Sequence, residues 1–221
     1  MSFSKKAIDY FCNLKAPTIK HTGVELINPY SSQQVQAIVK KFFIKYYNDE
    51  NERLFVLGIN PGRFGGGLTG ISFTDPVAIR EICRIENNLG TRKELSSKFI
   101  YTVVEKFGRP DEFFSKIFLT AIYPFAIIKN GKNYNYYDEK NLAENLHAEI
   151  IKNIISQIKL GARKDLGIVL GKKNARFFTE INEENNFFKR IGVLEHPRYI
   201  MQYRLKQIDY YITKYIETIN Q

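Results

Sequence analysis

Residues 53–59 read Arg53-Leu54-Phe55-Val56-Leu57-Gly58-Ile59, and the chain continues Asn60-Pro61-Gly62-Arg63-Phe64-Gly65-Gly66-Gly67-Leu68-Thr69-Gly70-Ile71-Ser72-Phe73-Thr74-Asp75. The first part is a short, unbroken apolar run. Without polar alternation it reads as a strand buried on both faces, as in a parallel sheet. The second part holds five glycines, a density that predicts irregular backbone from 60 to 75 rather than helix or strand. Asp75-Pro76 then predicts a helix start: the carboxylate caps free amides, and proline fits the first helical position. Ile79, Ile82, Cys83 and Leu89 are expected to face the core.

Outward from this unit, helical and strand patterns alternate. Toward the N-terminus, helices are expected over about 3–14 and 31–47, the second opened by Ser31-Ser32, with irregular chain from Ala16-Pro17 to Asn28-Pro29. This makes a helical N-terminal segment over about 1–50. Downstream, a helix over 95–106 stops at Gly108, and 116–122 reads as a second strand before Tyr123-Pro124. The polar, tyrosine-rich stretch Lys129–Tyr137 reads as a loop. A long helix over 138–160 carries Leu142, Leu146, Ile150, Ile154 and Ile158 at four-residue spacing. A third strand covers Leu166–Leu170, a helix 173–182, a fourth strand 188–194, and a last helix 203–219. Strands separated by helices predict one domain over 1–221: a three-layer α/β/α sandwich around a central four-stranded parallel sheet.

The chain has 221 residues, 44% hydrophobic and 25% charged, the balance of an ordinary globular domain. Its net charge of +10, from 33 basic against 23 acidic residues, favours a polyanionic partner. Between Lys152 and Arg176 seven basic residues face one acidic residue, Asp165, which reads equally as a phosphate track or a solvated face. Two distant cysteines, Cys12 and Cys83, indicate reduced usage and exclude a four-cysteine cluster. The start lacks the apolar run of a signal peptide, and no segment approaches membrane-spanning length, so a cytoplasmic protein is expected. No metal constellation is visible, and no metal or cofactor is expected.

In open parallel sheets ligands bind beyond the carboxyl ends of the strands. Two unusual segments fall there, 60–75 and 196–204. The glycine loop is no Walker loop, since no Gly-Lys-Ser/Thr follows, and it does not fit the dinucleotide fingerprint. Gly58-Ile59-Asn60-Pro61-Gly62, then Phe64-Gly65, then Thr69-Gly70-Ile71-Ser72-Phe73, resembles the first motif of uracil-DNA glycosylases. It is most similar to the single-strand-selective monofunctional branch, in a Bacteroidetes-type subgroup. His196-Pro197, 136 residues after Asn60-Pro61 and at the end of the last strand, stands where that family has its second motif. The resemblance spans about 53–204.

It implies a monofunctional DNA glycosylase of base excision repair, acting on single- or double-stranded DNA as a monomer. Asn60 and His196 take the catalytic roles. Ile59, Gly62, Phe64, Gly70, Phe73 and Ala121 surround the base, with Phe73 stacked on it. The chemistry fits these residue types. Breaking the glycosidic bond leaves an oxocarbenium-like sugar, which needs a water on its far face, and a base anion, which needs a hydrogen-bond donor. A carboxamide holds water but is no strong base, and an imidazole donates to the developing anion as in an oxyanion hole. The family's DNA-intercalating loop falls on Pro197–Arg204: Tyr199, Ile200 or Met201 is the expected wedge, and Arg198, Arg204 and Arg63 are expected on DNA. The alternative reading for 197–204 is the first turn of the last helix.

Ala121 departs from the family pattern. It stands where the branch has an Asn that reads the uracil edge, which leaves that task to backbone groups, Thr120 or Tyr123, or implies a different damaged base. It also supports a second reading, a non-catalytic nucleic-acid-binding protein on the same scaffold. Asp75 reads as a helix cap rather than an acid or base.

Overall fold

A computed structural model of the chain describes residues 1–19 and 21–221. In chain order its elements are α1 (Phe3–Cys12), β1 (Val24–Ile27), α2 (Gln33–Tyr46), β2 (Arg53–Gly58), α3 (Gly66–Thr69), α4 (Pro76–Glu81), α5 (Leu95–Phe107), α6 (Pro110–Lys116), β3 (Ile117–Ala121), β4 (Ala126–Lys129), β5 (Lys132–Tyr134), α7 (Lys140–Ile158), β6 (Ala162–Leu170), α8 (Lys172–Asn185), β7 (Arg190–Leu194), α9 (Pro197–Tyr203) and α10 (Ile208–Ile219). The apolar run 53–58 is indeed a central strand: every residue of β2 is buried. It pairs in parallel with β3 on one side and β6 on the other, and β7 completes the order β3-β2-β6-β7. Helices flank this four-stranded parallel sheet, as the alternation of patterns predicts. Helix α5 packs with α9 and α10, α1 with α2 and α7, and α8 lies against β6 and β7.

Local chemistry explains the boundaries. Ser32 caps α2 through the Val35 amide. Asp75 caps α4, its Oδ1 accepting from the amides of Val77 and Ala78 at 3.0 and 2.8 Å, and its Oδ2 accepts the Glu94 amide at 2.8 Å. Asp75 is therefore spent on structure. Gly108 ends α5 with φ +151°. The core is rich in aromatic pairs, stacked, tilted and edge-on: Phe3, Phe11, Phe43, Tyr47, Phe55 and Phe118 lie with centroids 4.9–6.4 Å apart, a close-packed cluster that needs no tryptophan. Through Phe3, whose ring centroid is 5.0 Å from that of Phe118, α1 is part of this core.

Several segments differ from expectation. The stretch before Asn28 holds strand β1, and Lys129–Tyr137 is no plain loop: β4 and β5 form a hairpin, and β1-β4-β5 is a separate antiparallel sheet. Asn130 and Gly131 both have positive φ, +50° and +71°, as a two-residue hairpin turn of this hand requires. The glycine loop contains the single helical turn α3. Helix α6 was not expected, and β6 starts four residues early, at Ala162. The last helix starts later than expected, as α10 at Ile208, and 197–203, for which a helical turn was the alternative reading, forms a separate helix α9 opened by Pro197 with His196 as its cap. Among the described residues no helix is long and apolar enough to cross a membrane, and no cluster of three or more potential metal ligands occurs.

Candidate active site

The parallel strands all end at one edge, with Gly58 beside Ala121 and Leu170 beside Leu194. A cavity of about 740 Å³ opens there. It is lined from the end of β2 by Gly58, Ile59 and Asn60, from the end of β3 by Ala121, and from beyond β7 by His196 and Arg198. The β4–β5 hairpin contributes Asn133 and Tyr134 to its wall.

Asn60 follows the β2 terminus by two residues, and both ends of its carboxamide are held. Nδ2 donates to the Tyr134 carbonyl at 3.0 Å, and Oδ1 accepts the Tyr136 amide at 3.3 Å. These two backbone groups fix which way the amide points. Oδ1 keeps one lone pair for a further donor. Ile59 just before it is anchored by its carbonyl, which accepts the Tyr123 amide at 3.1 Å.

Phe73 has φ +56°, a conformation rare for an aromatic residue and an indicator of a functional constraint. Its ring lies directly over Gly58. A β-carbon there would sit 2.5 Å from Phe73 Cζ, so the glycine before Ile59-Asn60 makes room for the ring. The Phe73 and His196 ring centroids are 5.9 Å apart.

His196 caps α9. Its Nδ1 accepts the Arg198 amide at 3.2 Å. Nδ1 being an acceptor, the proton of the neutral ring sits on Nε2. Burial of the ring, aided by the positive charge of Arg198, lowers its pKa to about 4. His196 is thus a neutral donor at physiological pH.

Cations ring the cavity: Arg63, Arg92, Lys93, Lys132 and Arg198. Among the described residues none of the five has a carboxylate within ion-pair distance. The guanidinium carbons of Arg63 and Arg92 lie 4.4 and 3.7 Å from the Phe64 ring centre, which places Phe64 among the cations of the rim. The lining includes one carboxylate, Glu94, which lies against Gly62 and Gly65. Burial raises its pKa, opposed by the charge of Arg198.

Asn60, His196, Ile59, Gly62, Arg63, Phe64, Phe73, Ala121 and Arg198 therefore converge on one cavity. The other expected site residues do not line it. Gly70 ends α3 with φ +73° and packs against Val35, Val39 and Tyr30, which puts it in a supporting position away from any base. Met201 and Ile200 are buried in the core, since α9 turns its apolar face inward; this removes both as wedges. Tyr199 stays exposed, its ring 5.6 Å from that of Tyr203 and 5.4 Å from the Arg204 guanidinium. Thr120 and Tyr123 are buried outside the lining, and the Thr120 hydroxyl is bonded to Gln157, so neither side chain replaces an Asn at 121. The basic stretch 152–176 is split: Arg163 and Lys164 lie at the far end of β6, while Lys172, Lys173 and Arg176 follow its carboxyl end.

Glu94, Ser96, Asn133 and Asn135 were missed. For the hairpin residues a signal existed: Asn130-Gly131 between Ile127-Ile128 and Tyr134 is a hairpin turn pair. Glu94 and Ser96 carry no local signal.

The sequence profile of the Uracil DNA glycosylase superfamily matches residues 44–220. Among solved structures the chain is similar to wild-type Pedobacter heparinus SMUG2, with 40% identity, a TM-score of 0.96, and coverage of 100% of this chain and 97% of that one. No curated protein sequence matches. A glycosylase profile that matches residues 44–220, together with a near-superimposable full-length relative, settles the family: the chain belongs to the uracil DNA glycosylase superfamily.

Proposed function

We propose that this DNA glycosylase hydrolyses the N-glycosidic bond of uracil or a related damaged base in DNA, with Asn60 holding the attacking water and His196 quenching the leaving base. The observation that carries the reading is the meeting of Asn60 and His196, 136 residues apart, on one cavity beside a strained aromatic ring. The flipped base stacks on Phe73, which offsets part of the few kcal/mol that unstacking costs. The C1′–N1 bond breaks with its electron pair going to the base, where the charge spreads to O2. His196 Nε2–H donates to that oxygen. Water held by the free lone pair of Asn60 Oδ1 bonds to C1′ and loses its extra proton to solvent, and the base anion is protonated after release. Asn60 is too weak a base to deprotonate the water first, so bond breaking leads.

The cation rim accepts the phosphates on either side of the flipped nucleotide. Tyr199, exposed beside Arg204, fills the gap left in the stack. Ala121 presents a methyl group where a carboxamide would read the base edge, a floor tolerant of bases other than uracil. The two lysines of the lining, Lys93 and Lys132, are exposed at the rim, and the reaction is simple hydrolysis by a monomeric, single-domain, cytoplasmic enzyme.

The test is incubation with single- and double-stranded oligonucleotides carrying uracil, hydroxymethyluracil, xanthine or hypoxanthine. Alkali-labile sites are expected with at least one, without borohydride-trapped protein–DNA adduct. No base release from any of them overturns the proposal.

A further inference from the structure

Among the described residues the Asn60 carboxamide is held by one segment outside the two motifs, Tyr134–Tyr136, which leaves the hairpin at the end of β5. This segment is itself tied at both ends. On the inner side Tyr136 is fully buried, and its hydroxyl donates to Asn174 Oδ1 at 2.6 Å. Asn174, also fully buried, donates through Nδ2 to the carbonyls of Leu170 at 3.2 Å and Leu57 at 3.5 Å. Leu57 and Leu170 lie at the carboxyl ends of β2 and β6, so one side chain joins the two central strands to the segment. On the outer side the Tyr134 hydroxyl donates to Glu139 Oε1 at 2.6 Å. Glu139 also accepts from Lys129 and pairs with His21 at 2.9 Å. These hydrogen bonds hold the Glu139 carboxyl down at about 2.

We propose that Tyr134–Tyr136 is a strap that sets the orientation of the Asn60 amide, with Tyr136, Asn174 and Glu139 as positioning residues for the attacking water. The argument rests on the catalytic reading of Asn60. An amide that turns over exchanges an acceptor for a donor at the same place, and a water that needs an oxygen acceptor then meets N–H. The strap forbids that turn: it offers a carbonyl to Nδ2 and an N–H to Oδ1, and either reversed contact would set like against like. Small displacements of a positioned water are costly, on the order of 10²-fold in rate for ~1 Å. The strap is thus expected to act on the chemical step and leave DNA affinity alone.

The experiment is a double-mutant cycle on uracil-containing single-stranded oligonucleotide, measuring kcat and KM for Tyr136→Phe, Asn60→Ala and the pair. Tyr136→Phe is expected to lower kcat by about 10- to 100-fold with KM changed less than about twofold, and to add less than about twofold to the Asn60→Ala loss. Equal losses in both backgrounds, or no loss in the native one, overturn the strap. Full activity of Asn60→Ala overturns the catalytic reading, and the strap with it. If Tyr136→Phe fails to fold, Tyr134→Phe, which removes only the half-buried bond to Glu139, replaces it in the same cycle. A smaller kcat loss, confined to the Asn60 background, is then expected, and additive losses would overturn the proposal.

Discussion

In the proposed reaction His196 donates to the departing base through a neutral ring, and its surroundings keep it neutral. Its pKa lies at about 4 in the folded chain against 6.5 when free. Between these values the unfolded chain binds a proton that the folded one does not, so stability is full above about pH 6.5 and declines as pH falls toward 4. The catalytic profile follows the folded value: kcat should stay level through pH 6.5, with no change where a free imidazole would gain its proton. Titration of the His196 ring carbons by NMR, alongside the rate profile, checks this. Phe73→Ala should weaken base capture by the ~1–3 kcal/mol of one stacking contact, seen in KM. At this scale the sequence was informative where a motif and a chemical need coincided, at Asn60, Phe73 and His196. It was silent on Glu94, because a carboxylate lodged against glycines far upstream leaves no local pattern. It misjudged Ile200 and Met201, because the resemblance puts an intercalating loop on a stretch that folds here as α9 with both side chains inward.

At the level of elements, Gly58, two residues before Asn60, is a packing device. Gly58→Val would drive a side chain into Phe73, so this change should cost most of the activity, while Gly90→Ala, where nothing lies within 4 Å of an added β-carbon, should leave activity intact despite its positive φ. Circular dichroism with base-release assays separates the two. Buried strands and amphipathic helices were readable from periodicity alone, since β2 is apolar throughout and α7 carries one apolar stripe. The antiparallel sheet was not, because β1 and β5 are short, half exposed and stabilised by pairing with β4 instead of by a core face of their own. The separation of α9 from the last helix was hidden too: the sequence offered 197–204 either as a loop or as the first turn of one continuous helix, and it forms a helix of its own.

Across the whole molecule, five of the 33 basic residues gather in a rim around the cavity, and among the described residues none of the five is in an ion pair. DNA binding should therefore weaken steeply with salt, and Arg198→Ala should reduce the slope of log K against log[salt] by about 0.7–0.9. Fluorescence anisotropy at several salt concentrations measures it. Stability has a separate centre. Arg53, fully buried at the start of β2, bonds the carbonyls of Phe114 and Asn51 and the carboxylate of Asp49, and its guanidinium lies 4.6 and 4.8 Å from the rings of Phe3 and Tyr47. Arg53→Ala should cost about 3 kcal/mol and lower Tm by roughly 6–12 °C in a thermal melt.

The central claim is that His196 stabilises negative charge on the departing base. Its most direct test compares single-turnover rates of the native chain and His196→Ala on uracil and on 5-fluorouracil, a better leaving group, in the same oligonucleotide. The account predicts a loss of ~10²–10³-fold for uracil that shrinks clearly for 5-fluorouracil, because a base that carries its own charge needs the donor less. An equal loss for both bases would contradict it.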